Sequence, residues 1–336
     1  MRVLITGITG RVGVHLARAL VSDGHQVRGL VWNADPSVAK LDGLSVDLVE
    51  GSLTEAEDVR RAMKGIEVVC HLGAAFQAGG PFTHDDYFQI NVGGTFNMLE
   101  AATEQQVQHF FFASTDAIYS KYPAGGLTEP IREDLMPRTP SGWYALSKIL
   151  VEEMCMSYFL SRCVPITIFR FALVVAADEI LNFRQFYLSH WQHIYEKRTT
   201  GAASETQQQL LVHQEEKLVI ARDENGRSYQ KHILDVRDLV QAFQVAIGNS
   251  QSIGEIFQLA APAPFVWETT IPYLAQTLGM EYVDLCLLAQ NPTFYQFDLS
   301  KSRERIGYQP QCDIFNTIDF ALDYRSRLQS GRSELI

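Results

Sequence analysis

Apolar positions follow two rhythms along this chain. Through its first half, short apolar blocks alternate with stretches whose apolar residues recur at helical spacing, the pattern of buried parallel strands joined by amphipathic helices. The blocks predict strands over Arg2–Thr6, Gln26–Trp32, Ser45–Val49, Glu67–His71, Val107–Ala113 and Pro165–Phe169. The periodic stretches predict helices from the glycines after Thr6 to about Val21, over Thr54–Met63 with Thr54 as cap, over Asp85–Glu104 and over Trp143–Leu160. Right-handed crossovers turn this order into a doubly wound parallel sheet, an α/β fold.

Beyond Ala177 the rhythm changes. Glu179–Arg198 predicts one helix, Lys217–Ala221 a strand, Asp223–Gly226 a turn, and Asp235 the cap of a helix running to Gly248. The polar stretch Thr199–Glu216, with Gln207, Gln208 and Gln209, reads equally as loop or helix. Pro262, Pro264, Pro272 and Pro292 interrupt the remainder.

Composition narrows the function by exclusion. The 336 residues are 46% hydrophobic and 20% charged with a net charge of -11, so nucleic acid, which binds through basic faces, is not an expected partner. No stretch approaches the ~20 apolar residues of a membrane span. The apolar start runs straight into glycines and reads as a strand, not a leader. Cys70, Cys155, Cys163, Cys286 and Cys312 are scattered and never form a CxxC pair, which suits a reducing, cytoplasmic setting. His190 and His193 share a face of the helix predicted there, with His213 further on, but no carboxylate spacing completes a metal site and none is expected.

The candidate chemistry begins at the end of the first strand, with Thr6-Gly7-Ile8-Thr9-Gly10-Arg11-Val12-Gly13. In this TGxxGxxG, Gly7 permits a tight turn, Gly10 lets the backbone approach a pyrophosphate, and Gly13 lets the helix pack closely on the strand. The helix N-terminus then offers free N–H groups to the phosphates, as in a Rossmann dinucleotide site. The end of the second strand selects the cofactor through an acid for NAD or an arginine for NADP. Here it reads Val31-Trp32-Asn33 and supplies neither. Arg11 can approach a 2′-phosphate, which tilts the reading toward NADP; Asp35 makes the case for NAD. Trp32 is open between flanking the adenine and ending the strand at the surface.

The second group is Tyr144-Ala145-Leu146-Ser147-Lys148 on a predicted helix, where Tyr144 and Lys148 share a face. An ammonium beside the phenol favours phenolate and lowers the tyrosine pKa from ~10, fitting it for proton transfer. Ser114-Thr115 stands at the C-terminal end of the fifth strand, where open α/β sheets bind ligands. Asp116, next in line, reads equally as a substrate acid and as an exposed carboxylate. His71 reads as the cap of a buried strand, and Phe110, Phe111 and Phe112 as core.

Together these residues resemble the extended short-chain dehydrogenase/reductases, in particular the NAD(P)-dependent epimerase/dehydratase family. The likeness includes the glycine motif, His71-Leu72-Gly73-Ala74-Ala75, Asn91-Val92-Gly93-Gly94-Thr95-Phe96-Asn97-Met98-Leu99-Glu100-Ala101, Ser114-Thr115-Asp116-Ala117-Ile118-Tyr119, Tyr144–Lys148, His232–Ala242 and Asp298-Leu299-Ser300-Lys301. The resemblance implies that Thr115 holds the reacting oxygen, Tyr144 exchanges its proton, and Lys148 tunes Tyr144 and binds ribose. It implies cofactor contacts along Gly7, Thr9, Gly10, Arg11, Val12 and Gly13, at Trp32 and Asn33, at Ser52 and Leu53 beside the adenine, at Leu72, Gly73, Ala74 and Ser114, and at Phe171 near the nicotinamide. It implies a homodimer paired through the helices over 85–104 and 143–160. Residues 1–177 would form the dinucleotide-binding Rossmann domain, rejoined by about 229–250, and residues 178–228 and 251–336 a smaller C-terminal substrate-binding lobe.

Departures from the family pattern limit the chemistry. Ala117 replaces the glutamate that 4,6-dehydratases use as base, which argues against that elimination. Lys231 stands where the family often has an arginine on a nucleotide phosphate, keeping charge but losing the bidentate fork. The expected activity is therefore an NAD(P)-dependent oxidoreduction or epimerisation at a secondary alcohol or keto group of a sugar-like, nucleotide-linked substrate. The alternative is an NADP-dependent carbonyl reductase or dehydrogenase on a non-nucleotide substrate. A non-catalytic dinucleotide sensor is the third, disfavoured by the intact Thr115, Tyr144 and Lys148.

Overall fold

The computed structural model describes residues 1–76, 82–123, 125–162, 164–196, 210, 212, 215–287 and 293–330. Most of 199–216, with His213, and also Cys163 and Pro292, lie outside the described residues. The described strands in chain order are β1 Arg2–Thr6, β2 Gln26–Val31, β3 Val46–Glu50, β4 Val68–His71, β5 His109–Thr115, β6 Ile166–Phe171, β7 Leu173–Val175, β8 Leu218–Arg222, β9 Gln230–Lys231, β10 Ile233–Asp235, β11 Glu255–Leu259, β12 Phe265–Val266 and β13 Tyr282–Cys286. Seven of them form one parallel sheet in the order β11-β6-β5-β4-β1-β2-β3.

The central position of β5 accounts for its composition. A parallel strand covered on both faces carries an unbroken apolar run, and every residue of β5 is buried. Phe111 packs on one face, its ring centroid 5.5 Å from those of Phe169 and Phe243. Phe110 and Phe112 belong to the opposite core, with Met98, Leu99 and Val151 of the flanking helices. Burial of each such side chain stabilises by ~1.5–3 kcal/mol. A second core gathers Phe186, Trp191, Leu218, Trp267, Ile271 and Ile318, all from beyond residue 175. The edge strand β11 comes from the 251–336 range, and Tyr295, Phe297 and Tyr308 from that range also pack into the core of the main sheet.

Several elements differ from the sequence reading. The strand β5 runs on through Ser114 and Thr115, so both belong to the sheet. Trp32 lies past β2 and is 65% exposed. Thr54 caps nothing: the helix Ala56–Met63 has Glu55 at its N-cap, and Thr54 N instead donates to Ser52 Oγ, with Asp58 accepting from Ser52 N. The expected single helix from Glu179 is two 3-10 turns, Glu179–Asn182 and Arg184–Phe186, and a helix Leu188–Glu196. Phe186, fully buried between Phe265 and Trp267, draws the chain inward at the cost of helical continuity.

The helix expected over Asp85–Glu104 carries a feature its periodicity hides. A capping box of Thr83 and Asp86 opens it at His84–Asp86; Tyr87–Gly93 is a π-helical segment, and Gly94–Glu104 is α-helical. The widened turn brings Asn91 into the protein, where its amide donates to Ser147 Oγ at 2.9 Å and Ala75 O at 3.1 Å. Ala75 N donates back to Asn91 Oδ1 at 2.7 Å. Insertions of this kind favour functional positions, and this one ties the loop after β4 to the start of the helix Trp143–Arg162.

Candidate active site

A cleft of about 990 Å³ opens at the C-terminal ends of β1, β4, β5 and β6. Gly7, Gly10, Arg11, Val12 and Gly13 line one end, and Leu72, Gly73, Ala74, Ser114, Thr115, Asp116, Tyr144, Lys148 and Phe171 line its floor and walls. The glycines are required sterically. Gly7 has φ +69°, and a Cβ there would sit 2.9 Å from Gly73; a Cβ on Gly13 would sit 2.2 Å from Gly7 O. The helix Arg11–Ser22 begins at Gly10 without a side-chain cap, leaving its first N–H groups available to an anion. This cradle, which added side chains would fill, fits the pyrophosphate of a dinucleotide.

The outer edge of the cofactor half differs from expectation. Arg11 does not turn toward the end of β2; its Nε lies 2.8 Å from Glu179 Oε1 and its Nη1 donates to Val174 O at 3.3 Å. Thr9 donates instead to Asp35 Oδ2 at 2.7 Å, and Ser37 N to Asp35 Oδ1 at 2.8 Å. Partial burial opposes ionisation of Asp35, but these hydrogen bonds prevail and hold its carboxyl below its ordinary value. Trp32, Asn33, Ser52 and Leu53 are absent from the cleft wall. Leu53 packs against Gly73 and Gly94 and accepts from Asn97 Nδ2 at 2.9 Å.

At the floor, Thr115 Oγ1 accepts from Ala117 N at 3.1 Å, and its hydroxyl lies close enough to the Tyr144 phenol to favour phenolate. Lys148 Nζ donates to Ala113 O at 2.8 Å and lies 4.8 Å from the Phe112 ring centroid and 5.9 Å from that of Tyr144. Burial lowers the Lys148 pKa to about 8, against the opposite pull of Cys155 and Glu152. The expected lowering of the Tyr144 pKa is not present here. Burial raises it, outweighing Thr115, with Asp116 and Tyr87 pushing the same way. The ammonium is held at the Ala113 carbonyl, beside the aromatic ring.

Asp116 is buried, which corrects the reading of it as an exposed carboxylate; its Oδ2 lies 2.5 Å from Lys121 Nζ. Sequence reasoning passed over what stands behind this floor. Glu152 accepts from Ser114 Oγ at 2.6 Å, from Arg170 Nε at 2.9 Å and from Arg170 Nη2 at 2.7 Å. Arg170 also donates to the Tyr119 hydroxyl at 2.5 Å. The position of Glu152, one helical turn after Lys148, was a signal available in the sequence. His71 bridges Thr6 Oγ1 at 2.7 Å and Thr95 Oγ1 at 2.9 Å, and burial lowers its pKa to about 3. Among the described residues no three His, Cys, Asp or Glu side chains gather as a metal site.

Comparison with known proteins bears on this cleft as a whole. The chain is 24% identical to an uncharacterized UDP-glucose epimerase, YtcB of Bacillus subtilis, over 98% of this chain and all of that one. It superposes with a TM-score of 0.83 and 28% identity, covering 100% of both chains, on a short-chain dehydrogenase/reductase superfamily protein from Agrobacterium tumefaciens with bound NAD. The UDP-glucuronic acid 4-epimerase of Bacillus cereus shares the fold, with a TM-score of 0.73 and 20% identity over 98% of this chain and 100% of that one. The profile of the NAD dependent epimerase/dehydratase family matches residues 3–260. With that match laid over the glycine cradle and the Thr115–Tyr144–Lys148 floor, this chain belongs to the NAD dependent epimerase/dehydratase family and is an enzyme of the short-chain dehydrogenase/reductase type.

Proposed function

We propose that this enzyme interconverts a secondary alcohol and a ketone on a sugar-like substrate, and that Tyr144 carries the proton. The observation that supports it most is the convergence of Thr115, Tyr144 and Lys148 on the floor of the cleft that begins at the glycine cradle. Thr115 holds the reacting oxygen. Tyr144 in its phenolate form, which the positive charge of a bound oxidised nicotinamide ring would favour against the pull of burial, takes the hydroxyl proton as the carbon gives up its hydride. The resulting phenol returns it when the ketone is reduced on the same or the opposite face. A bound nicotinamide dinucleotide supplies the acceptor and donor of that hydride. Lys148, fixed by Ala113 O, keeps N–H donors for ribose hydroxyls. In this reading the first core is the dinucleotide-binding unit and the second core the substrate lobe.

For the cofactor we infer NAD, reversing the tilt toward NADP: Arg11 is engaged by Glu179, and the Asp35 carboxylate is bound to Thr9 of the cradle. We also infer a cytoplasmic homodimer, since Phe88, Phe96, Trp143 and Leu150 are exposed on the two long helices; among the described residues no helix is long and apolar enough to cross a membrane. Light scattering should then give twice the 37.8 kDa chain mass, and a monomer at micromolar concentration refutes the pairing. The similarity to UDP-sugar epimerases supports a nucleotide-linked substrate. A non-nucleotide substrate is the second reading, favoured by Lys231, which keeps the charge of the family's phosphate-binding arginine but not its bidentate fork.

The deciding experiment is Tyr144→Phe. Turnover should fall by ~10²–10⁴, the usual worth of a positioned acid–base group, with unfolding and dinucleotide affinity nearly unchanged. Turnover within a few-fold of wild type removes Tyr144 from the mechanism.

A further inference from the structure

The substrate end of the cleft carries a charge imbalance that the proton-transfer group does not use. Asp116, Lys121, Lys231 and Tyr295 all line it. Lys121 is 6% exposed, Asp116 7% and Lys231 8%. Lys121 and Asp116 neutralise one another as an ion pair. The Lys231 ammonium instead meets the neutral Gln185 and the face of the Phe183 ring, at 5.0 Å from its centroid. Burial and the Lys121 charge lower the Lys231 pKa to about 8, opposed by Asp116.

Among the described residues, two ammonium groups and one carboxylate between aromatic walls leave one positive charge over. A buried charge without a counter-charge is strongly disfavoured, which makes such a pocket receptive to an anion. The Tyr295 hydroxyl is a second sign. It is 1% exposed and, like Asp116 Oδ2, makes no hydrogen bond of regular geometry among the described residues, with the Tyr122 hydroxyl and the Asp116 carboxylate as its polar neighbours. Buried hydroxyls are rarely left unpaired.

We propose that Lys121, Lys231 and Tyr295 form a subsite for a carboxylate carried on the substrate's sugar ring, so that the enzyme acts on acidic sugars in preference to neutral ones. A single carboxylate balances the excess charge, whereas the two charges of a nucleotide diphosphate overshoot it. Asp116 follows Thr115 directly in the chain, so the subsite adjoins the reacting hydroxyl, where a ring carboxylate would stand. The proposal rests on the alcohol–ketone chemistry assigned to Tyr144.

Titration calorimetry with NAD present tests it, using glucuronate, galacturonate and UDP-glucuronate against glucose, galactose and UDP-glucose. Each acid should bind about tenfold or more tighter than its neutral counterpart, the worth of a charge-assisted hydrogen bond. That preference should disappear in Lys231→Met while NAD affinity stays unchanged. Because Lys121→Met would strand the buried Asp116, the paired change Asp116→Asn with Lys121→Met is the second variant, and it should also lose the preference. Three results overturn the proposal: no acid sugar binds, acid preference survives both variants, or UDP-glucose binds as tightly as UDP-glucuronate and Lys231→Met weakens both. If the Tyr144→Phe result holds while one of these occurs, only the subsite fails.

Discussion

The two ends of the cleft are built by opposite means. The cofactor end is made by leaving side chains out: within 7–13, glycines bring backbone against backbone, and Gly73 meets Gly7 from the loop after β4. The substrate end is made by putting charges in, with Asp116 and Lys121 after β5, Lys231 on β9 and Tyr295 late in the chain. The first construction is local and tolerates no added atom. The second is assembled from distant segments and depends on how its buried charges are balanced. Each construction should therefore fail in its own way when altered.

The largest effect is expected behind the substrate end. Glu152 and Arg170 are 1% and 3% exposed, and the pair also anchors Ser114 and Tyr119. Glu152→Ala leaves the Arg170 charge buried without its carboxylate, and should destabilise the protein by ~3–5 kcal/mol in urea unfolding. A loss below about 1 kcal/mol would place this pair with exposed ion pairs and undo the contrast.

Gly13→Val comes next. Its Cβ would lie 2.2 Å from Gly7 O and 2.6 Å from Ile8 Cα, so the helix must move off the strand. Overpacking of this kind costs ~1–3 kcal/mol, and calorimetry should show NAD binding weakened about tenfold to hundredfold. A folded variant binding as wild type does would show that the close approach is incidental.

How much of this was legible in the sequence follows the same division. The glycine cradle, β5 and the Tyr144–Lys148 spacing were readable because each is a local pattern: a turn, a buried run, one helical turn. The π-helical segment at Tyr87–Gly93 was not, since the slip of phase it introduces falls within seven residues, too few apolar positions to register it. Nor was the partner of Asp116 readable, because no sequence period links a strand end to Lys121 five places on. Lys231 and Tyr295 reach the cleft only through tertiary packing. The contact of Arg11 with Glu179 was hidden for the same reason, since the two lie far apart in sequence.

A smaller effect concerns pH. Lys148 titrates at about 8 in the folded protein against an ordinary 10.5. Below pH 8 it is charged in both folded and unfolded chains; between about 8 and 10.5 the unfolded chain binds the extra proton, so rising pH relieves the burial penalty and adds stability. Activity should move the other way, because the ammonium proposed above to serve ribose is lost above pH 8. NAD affinity should thus fall as pH passes about 8 while thermal stability does not, and Lys148→Met should flatten the affinity profile at a lower level. Glu152→Gln, which removes a charge that favours the ammonium, should shift the fall to lower pH. An affinity unchanged up to pH 10 assigns the ribose contact to another group.

The smallest effect tests the boundary between the two constructions. Arg11 sits among the glycines yet is held from outside them, by Glu179 and by the carbonyl of Val174 on β7. Both partners of the ion pair are about 40% exposed, at 39% and 40%, so solvent screens it and its loss should cost no more than ~0–1 kcal/mol of stability. If Arg11 were the residue that receives a 2′-phosphate, Arg11→Ala would weaken NADP selectively. With the guanidinium held by Glu179, the ratio of NAD to NADP affinity should stay within about twofold of wild type, less than the ~1.5–3 kcal/mol of a lost charged hydrogen bond. Asp35→Asn is the companion measurement: removing the carboxylate bound to Thr9 should improve NADP relative to NAD, because the 2′-phosphate no longer meets a like charge. A selective loss of NADP in Arg11→Ala, with no change in Asp35→Asn, would return cofactor choice to Arg11 and the arginine itself to the cofactor end.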